Sequence, residues 1–151
     1  MSKAHVSIRP LQADDKASWT SLWGAYLDFY AASLPREVYE ATFARLMSGD
    51  RAEPHGLIAT VGGRPAGIVH YLFQRSCWKI EEQVYLQDLF TVPDARGLGV
   101  ARALIEAVYA AADAAGAPSV YWLTQEFNYA GRMLYDRIGT KSPFIRYNRA
   151  A

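Results

Sequence analysis

Apolar positions recur at helical spacing through the first third of the chain. Before them, residues 5–10 alternate apolar and polar side chains and end at a proline, which predicts a short strand. Asp14 and Asp15 then precede a run in which tryptophan, tyrosine and leucine recur every three or four positions up to residue 30, which predicts a helix. A second helix is predicted after Pro35, and Gly49 ends it.

The middle of the chain consists of strand-like runs separated by turn residues. Residues 57–61 and 66–73 are two such runs, and residues 62–65 (GGRP) between them are typical of a tight hairpin turn. A further strand is predicted over residues 84–92. This region therefore predicts three consecutive strands that begin with a hairpin.

Helices and strands alternate in the last third of the chain. The predicted elements are a helix from residue 97 or 98 to 115, a strand over 120–124, a helix over 128–138 and a short strand over 144–147. Asn128 is the expected cap of the second of these helices, and Gly139 is its expected stop. The complete order, β-α-α-β-β-β-α-β-α-β, predicts an α/β (α+β) fold with a mixed sheet that carries helices on its faces.

Length, net charge and residue composition indicate what kind of protein this is and which partners to expect. The 151 residues fit one domain, and the formal net charge of +1 gives no basic field for nucleic acid. No apolar run reaches the ~18 residues of a membrane span, so we expect neither a nucleic-acid nor a membrane partner. Cys77 is the single cysteine, which excludes an internal disulfide and suits a cytoplasmic protein. His5, His55 and His70 lack the spacing of metal ligands, so no metal site is expected.

The most informative segment is RGLGVA at residues 96–101, where a predicted strand turns into a helix. Glycines let the backbone approach a ligand, and a helix N-terminus offers free N–H groups and a partial positive charge, so an anion such as phosphate suits this position. No Walker A string is present, and Arg102 occupies the last position of the dinucleotide fingerprint, which requires glycine or alanine. The looser pattern [QR]-x-x-G-x-[GA] fits throughout. On these residues alone, Gly97 and Gly99 could equally well only shape a turn.

Two further segments make a family resemblance specific. Asn128, Tyr135 and Gly139 form the pattern N-x(6)-Y-x(3)-G, and residues 85–90 are YLQDLF. Together with the glycine turn, these segments resemble the GNAT acetyltransferases, and YLQDLF resembles the corresponding strand of the spermidine/spermine acetyltransferase-like branch. The resemblance covers essentially the whole chain. It implies one acetyltransferase domain over residues 1–151, with a mostly antiparallel sheet of about six to seven strands, four flanking helices and a splayed central strand pair.

The resemblance also implies acetyl-CoA as the co-substrate and no metal. The strand end would hold pantetheine through its backbone, and the glycine turn would hold the pyrophosphate. The residues expected to bind acetyl-CoA are Leu89, Phe90, Thr91, Arg96, Gly97, Leu98, Gly99, Val100, Ala101, Arg102, Asn128, Gly131 and Tyr135.

The implied reaction is direct attack of a primary amine on the thioester, and the amine belongs to a polyamine, an amino acid or a protein lysine. Tyr135 matches the family's general acid, which protonates the departing thiolate; its alternative role is a core aromatic of the last helix. Gln87 stands where the branch often has glutamate, and it cannot accept a proton at neutral pH. Asp88 is therefore the first candidate base, ahead of Glu81, Glu82 and Glu126.

The acceptor is expected to contact Tyr30, Trp78, Gln87 and Asp88. Trp19, Trp23 and Tyr26 could also line this pocket, although core packing suits Trp19 and Trp23 at least as well. Aromatic side chains suit the stem of an amine and can surround a cation. By analogy with the family we expect a homodimer, in which the strand over residues 144–147 packs between subunits. The alternative function is a non-catalytic acyl-CoA-binding sensor or scaffold module.

Overall fold

A single twisted sheet organises the computed structural model, which describes residues 5–150. Its strands are β1 (Val6–Pro10), β2 (His55–Val61), β3 (Arg64–Gln74), β4 (Gln83–Thr91) and β5 (Val120–Tyr121). They lie in the spatial order β1-β2-β3-β4-β5, with antiparallel pairing from β1 to β4 and a parallel β4–β5 pair. The mixed, mostly antiparallel sheet is confirmed.

Within residues 5–150, four α-helices cover the sheet, as the sequence predicts. They are α1 (Lys16–Phe29), α2 (Arg36–Leu46), α3 (Val100–Ala114) and α4 (Tyr129–Ile138). The junction between β1 and α1 is fixed by Asp15, whose two carboxylate oxygens accept hydrogen bonds from the Arg9 guanidinium at 2.7 and 2.8 Å. The Gln12 N–H donates to the same carboxylate at 2.8 Å, and the side chain is buried.

The core has two halves, one on each face of the sheet. On one face, the stripe of α3 that contains Leu104, Ile105 and Val108 is fully buried against the strands. On the other face, Trp19 of α1 packs with Ile58 and the rest of a cluster built from α1, α2 and the strands. The sheet is therefore covered on both faces, and the edge of β4 next to β5 becomes important for the site.

The predicted number of six to seven strands is wrong, because five strands occur among residues 5–150. The predicted strand over residues 144–147 is not formed. Phe144, Ile145 and Tyr147 are 80%, 77% and 87% exposed and pair with no strand in the described part of the chain. The β-propensity of this segment does not by itself hold a strand, because a strand also needs pairing and packing against its neighbours.

A β-bulge interrupts β4 at Gln87. His70 of β3 is opposite Asp88, yet the next β3 residue, Tyr71, is opposite Leu86, so Gln87 is the extra residue. The bulge reverses the alternation of side chains along β4. Leu86 packs in the cluster on the α3 face, whereas Phe90 packs in the cluster on the α1 face.

The strand β5 is shorter than the predicted 120–124. It pairs with β4 only at Val84↔Val120 and Tyr85↔Tyr121. Within residues 5–150, no strand pairs with this edge of β4 beyond Tyr85, although β4 itself continues to Thr91. The outer half of β4 consequently borders an open space between the sheet and α4.

Candidate active site

Two adjoining clefts open beside the unpaired half of β4. The narrow cleft, of about 380 Å³, is lined by Tyr26, Phe29, Tyr30, Leu89, Phe90, Thr91, Arg96, Ala101, Asn128, Ala130, Gly131, Leu134 and Tyr135. The wide cleft, of about 860 Å³, extends from Tyr85 and Gln87 past β5 to Arg146. Tyr26, Tyr30 and Tyr135 line both clefts and therefore stand at their junction.

The backbone of β4 presents free hydrogen-bonding groups to the narrow cleft. The Val92 N–H donates to the Ala66 carbonyl at 2.9 Å, which fixes the phase of the β3–β4 ladder. In an antiparallel ladder, residue pairs that lie opposite each other are alternately hydrogen-bonded and not hydrogen-bonded. Phe90 is therefore hydrogen-bonded to Ile68, whereas Leu89 and Thr91 direct their N–H and C=O groups away from β3. Of the three strand residues expected to bind the cofactor, two thus offer free backbone groups.

The glycine turn precedes α3 as predicted. Gly97 and Gly99 both have φ of +82°, a left-handed conformation that glycine adopts without strain, and Gly99 is the N-cap of α3. The first-turn N–H groups of a helix have no partners within the helix, so this end of α3 is suited to an anion. Arg96 lines the narrow cleft beside it.

Three residues expected to bind the cofactor at the glycine turn, Leu98, Val100 and Arg102, direct their side chains elsewhere than into the narrow cleft. Val100 is almost fully buried, and its side chain packs in the core cluster on the α3 face. The Arg102 guanidinium donates to Glu106 at 2.8 Å along the exposed face of α3. Leu98 is partly exposed. None of these three side chains lines the narrow cleft.

Asn128 caps α4, and Gly131 makes the cap possible. The Gly131 N–H donates to Asn128 Oδ1 at 3.2 Å, and Asn128 Nδ2 donates to Thr124 Oγ1 at 3.0 Å. A Cβ on residue 131 would lie 2.6 Å from Asn128 Nδ2, which is too close. The motif asparagine is therefore confirmed as a helix cap, and it also lies in the wall of the narrow cleft.

Tyr135 is oriented by packing against Trp122, with ring centroids 5.6 Å apart in an edge-to-face arrangement. Gly139 leaves room for this tryptophan, because a Cβ there would lie 2.9 Å from Trp122 Cη2. Burial, and to a smaller extent Tyr30, raises the pKa of Tyr135. The phenol therefore stays protonated at neutral pH and is available as a proton donor.

The four predicted acceptor residues are placed differently. Tyr30 and Gln87 line the wide cleft, and the bulge exposes Gln87. Trp78 is 88% exposed in the loop that joins β3 to β4 and lines neither cleft. Within that loop the Arg75 guanidinium donates a hydrogen bond to the Ile80 carbonyl at 2.9 Å.

Asp88, the candidate base, is buried and lines neither cleft. Its Oδ2 lies 2.8 Å from His70 Nδ1, and Trp19 Nε1 donates to His70 Nε2 at 2.9 Å. Burial, and after it the negative charge of Asp88, raises the pKa of Tyr26 far above the usual range. The sequence prediction missed the contact between His70 and Asp88, which depends on the β3–β4 register that sets the two residues opposite each other. No local signal in the sequence indicates this contact.

Neither a cluster of metal ligands nor a membrane-spanning helix occurs in the described part of the chain. Among residues 5–150, no group of three or more His, Cys, Asp or Glu side chains is arranged to hold a metal ion. No helix in the same range has the length and apolar character needed to cross a membrane.

The comparisons with known proteins agree with this geometry. The Acetyltransferase (GNAT) family matches residues 19–140. The D-amino-acid N-acetyltransferase HPA3 of Saccharomyces cerevisiae is 35% identical over 151 residues, which cover 99% of this chain and 93% of that protein. The Thialysine N-epsilon-acetyltransferase of Caenorhabditis elegans is 30% identical over 84 residues, 56% of this chain and 52% of that protein. The aminoglycoside N-acetyltransferase AAC(6')-Iy in complex with CoA has the same fold, with a TM-score of 0.82 at 20% identity over 99% of this chain and 98% of that one.

The chain therefore belongs to the GNAT acetyltransferase family. It is an N-acetyltransferase, as the motifs in the glycine turn and in α4 predict. The alternative of a non-catalytic binding module receives no support from these comparisons.

Proposed function

We propose that residues 1–151 form a single acetyltransferase domain that transfers the acetyl group of acetyl-CoA to a primary amine. The observation that carries this proposal is the position of Tyr135, at the junction of a narrow cleft with free backbone groups and a wide cleft whose lining includes aromatic and charged side chains. A similar fold has been solved in complex with CoA, which supports the choice of co-substrate.

In this proposal the narrow cleft holds the cofactor. The free N–H and C=O groups of Leu89 and Thr91 bind pantetheine as an added strand would. The turn from Arg96 to the start of α3 binds the pyrophosphate through N–H groups and one guanidinium. The thioester then lies at the junction, beside Tyr135.

Chemistry at the junction requires a base, an oxyanion site and an acid. The ammonium of the acceptor loses a proton, and the neutral amine attacks the thioester carbonyl. An N–H group on the free edge of β4 stabilises the oxyanion. Tyr135 donates its proton to the departing thiolate, which it can do because burial keeps the phenol protonated.

Among the acceptor classes, an amino acid is the one we favour over a polyamine or a protein lysine. The relative with 35% identity is named a D-amino-acid N-acetyltransferase. The lining of the wide cleft includes several tyrosines and the cationic side chains of Arg132, Lys141 and Arg146, and cations suit the carboxylate of a zwitterion. Glu126 and Asp136 also line this cleft, and carboxylates suit the ammonium group of the zwitterion. The YLQDLF strand supports the spermidine/spermine-like branch, which stays a prediction.

The test is release of CoA thiol from acetyl-CoA in the presence of a panel of amines, which contains D- and L-amino acids, polyamines and a lysine peptide. We expect turnover with at least one amine and the highest kcat/KM for an amino acid. Tight binding of acetyl-CoA without thiol release for any amine would contradict the proposed function. Turnover restricted to polyamines would contradict only the choice of acceptor class.

A homodimer in the cytoplasm is the assembly and location we propose. The exposed apolar side chains of Phe144, Ile145 and Tyr147 support an interface between copies at the C-terminal segment. Light scattering at micromolar concentration should give the mass of a dimer, and a monomer would contradict this part of the proposal. The single cysteine suits a reducing compartment.

A further inference from the structure

A chain of polar groups crosses the buried layer between α1 and the sheet. Trp19 Nε1 donates to His70 Nε2 at 2.9 Å, and His70 Nδ1 lies 2.8 Å from Asp88 Oδ2. The three residues are 0%, 3% and 9% exposed, respectively. Polar groups in such a layer are costly unless each finds a partner, so three of them in series form a specific arrangement.

The indole fixes the direction of these hydrogen bonds. An indole N–H can only donate, so Nε2 of His70 must present its lone pair to Trp19 and carries no proton. The ring proton of neutral His70 is then on Nδ1, from which it is donated to Asp88 Oδ2. The donors point one way, from Trp19 to Asp88, and the carboxylate is the final acceptor.

Tyrosines that line the clefts are influenced by the charge of this carboxylate. The pKa values of Tyr26 and Tyr30 are both raised, first by burial and then by the negative charge of Asp88, which also raises that of Tyr85. Tyr26 and Tyr30 line both clefts, whereas neither Asp88 nor His70 lines either one. Tyr26 also packs against the buried cluster that contains Trp19, so it reaches both this layer and the junction. We therefore place it on the path by which a proton leaves an amine at the junction for Asp88.

We propose that His70 is a positioning residue, held by Trp19 in its Nδ1–H form, and that it orients Asp88 to take the acceptor's proton through Tyr26. In this step the ammonium passes one proton to the Tyr26 oxygen, while Tyr26 passes its own proton to Asp88. The amine becomes neutral, Tyr26 is unchanged and Asp88 is protonated. When the amide forms, the nitrogen loses a second proton. Tyr135 takes up this proton in place of the one that it gives to the thiolate. This inference rests on the proposed N-acetyltransferase reaction.

Two substitutions of His70 separate the two hydrogen bonds. Asparagine places an amide N–H near the position of Nδ1, so His70→Asn keeps a donor to Asp88 and loses the bond to Trp19. Glutamine places its amide near the position of Nε2, so His70→Gln keeps a partner for Trp19 and leaves Asp88 without its donor. His55 provides the matched control, because it is a β2 histidine stacked on Tyr71 at 5.3 Å and lies outside both clefts.

We expect His70→Gln to lower kcat by about 10- to 100-fold, the range found for partners that orient a reacting group, with the KM for acetyl-CoA unchanged. His70→Asn should recover most of this loss, and the same two substitutions at His55 should leave kcat unchanged. Equal losses for both His70 variants would overturn the positioning role. If wild type turns over no amine at all, the proposed function itself fails, which is a different result.

A measurement without turnover tests the same inference in the wild-type chain. Nitrogen NMR at pH 7 should show that His70 carries its proton on Nδ1 and none on Nε2. The Trp19→Phe variant removes the indole donor and should lose this single form. A proton on Nε2 in the wild-type protein would overturn the proposal whatever the kinetics of the variants.

Discussion

Gly67 of β3 lies where the two elements of the proposed cofactor site meet. A Cβ at this position would lie 2.6 Å from the Phe90 carbonyl oxygen, 3.1 Å from Val100 Cγ1 and 3.2 Å from Leu104 Cδ1. The first contact is backbone, and the other two side chains are almost fully buried, so none can move aside freely. Gly67→Ala should push the end of β4 away from the start of α3.

The expected cost follows from overpacking a filled core, which destabilises by about 1–3 kcal/mol. In a chain of this size each kcal/mol lowers Tm by about 2–4 °C. The displaced strand end carries the free backbone groups of Leu89 and Thr91, so the Kd for acetyl-CoA should also rise, by about tenfold or about 1.4 kcal/mol. Thermal unfolding and a fluorescence titration with acetyl-CoA measure the two effects.

Gly24 of α1 offers the matched control for Gly67. A Cβ there would meet only Tyr39 Oη, at 3.4 Å, and alanine is favoured over glycine inside a helix by about 1 kcal/mol. Gly24→Ala should therefore stabilise the protein and leave acetyl-CoA binding unchanged. If Gly67→Ala has wild-type Tm and wild-type affinity, the close approach of β3, β4 and α3 does not hold the site, and the reasoning is refuted.

Three further changes test separate parts of the account. Tyr135→Phe should lower kcat by about 100-fold with little change in Tm. Because burial raises the pKa of this phenol, the wild-type rate should fall only as pH rises above about 10. Equal rates for variant and wild type at pH 7 would exclude the acid role. Gly131→Ala displaces the Asn128 carboxamide, and its lost cap of about 1 kcal/mol is offset by a similar gain in helix propensity. Steady-state kinetics should therefore show a raised KM for acetyl-CoA at unchanged stability. An unchanged KM would argue against cofactor binding at the wall of the narrow cleft that Asn128 and Gly131 form. The hydrogen bonds from Arg9 lower the pKa of Asp15 in the folded protein. Their contribution to stability is therefore complete at pH values above the unfolded pKa of about 3.9, and it is lost as pH falls through the lower folded pKa. Asp15→Asn should cost about 1.5–3 kcal/mol in urea unfolding at pH 7 and almost nothing at the acid end, and a pH-independent difference would contradict the linkage.

Local signals in the sequence were sufficient for the helices and for most strands. The apolar stripe of α3, the Asn128 cap and the Gly139 stop are properties of neighbouring residues, and the structure confirms each of them. The glycine turn and Tyr135 were recognised for the same reason, since each belongs to a short pattern. The strand predicted over residues 144–147 failed because a strand needs a partner edge, which no local signal provides.

The arrangement around Asp88 could not be predicted from such signals. In the sequence, Val84, Leu86, Asp88 and Phe90 alternate as one face of a regular strand. The bulge at Gln87 divides this set, so that Leu86 faces α3 and Phe90 faces α1. The same register brings His70, 18 residues away, to the carboxylate. Bulges and registers depend on the partner strand, and therefore appear only when the sheet is assembled.

We propose that acetyl transfer takes place at one junction, which is formed by the β4 edge, the glycine turn and Tyr135. A crystal structure of the chain with bound CoA tests it most directly. We predict pantetheine hydrogen-bonded to the backbone of Leu89 and Thr91, the pyrophosphate at the N-terminus of α3, and the sulfur within hydrogen-bond distance of Tyr135 Oη. CoA bound away from this edge of β4, or with its sulfur out of reach of Tyr135, would contradict the account.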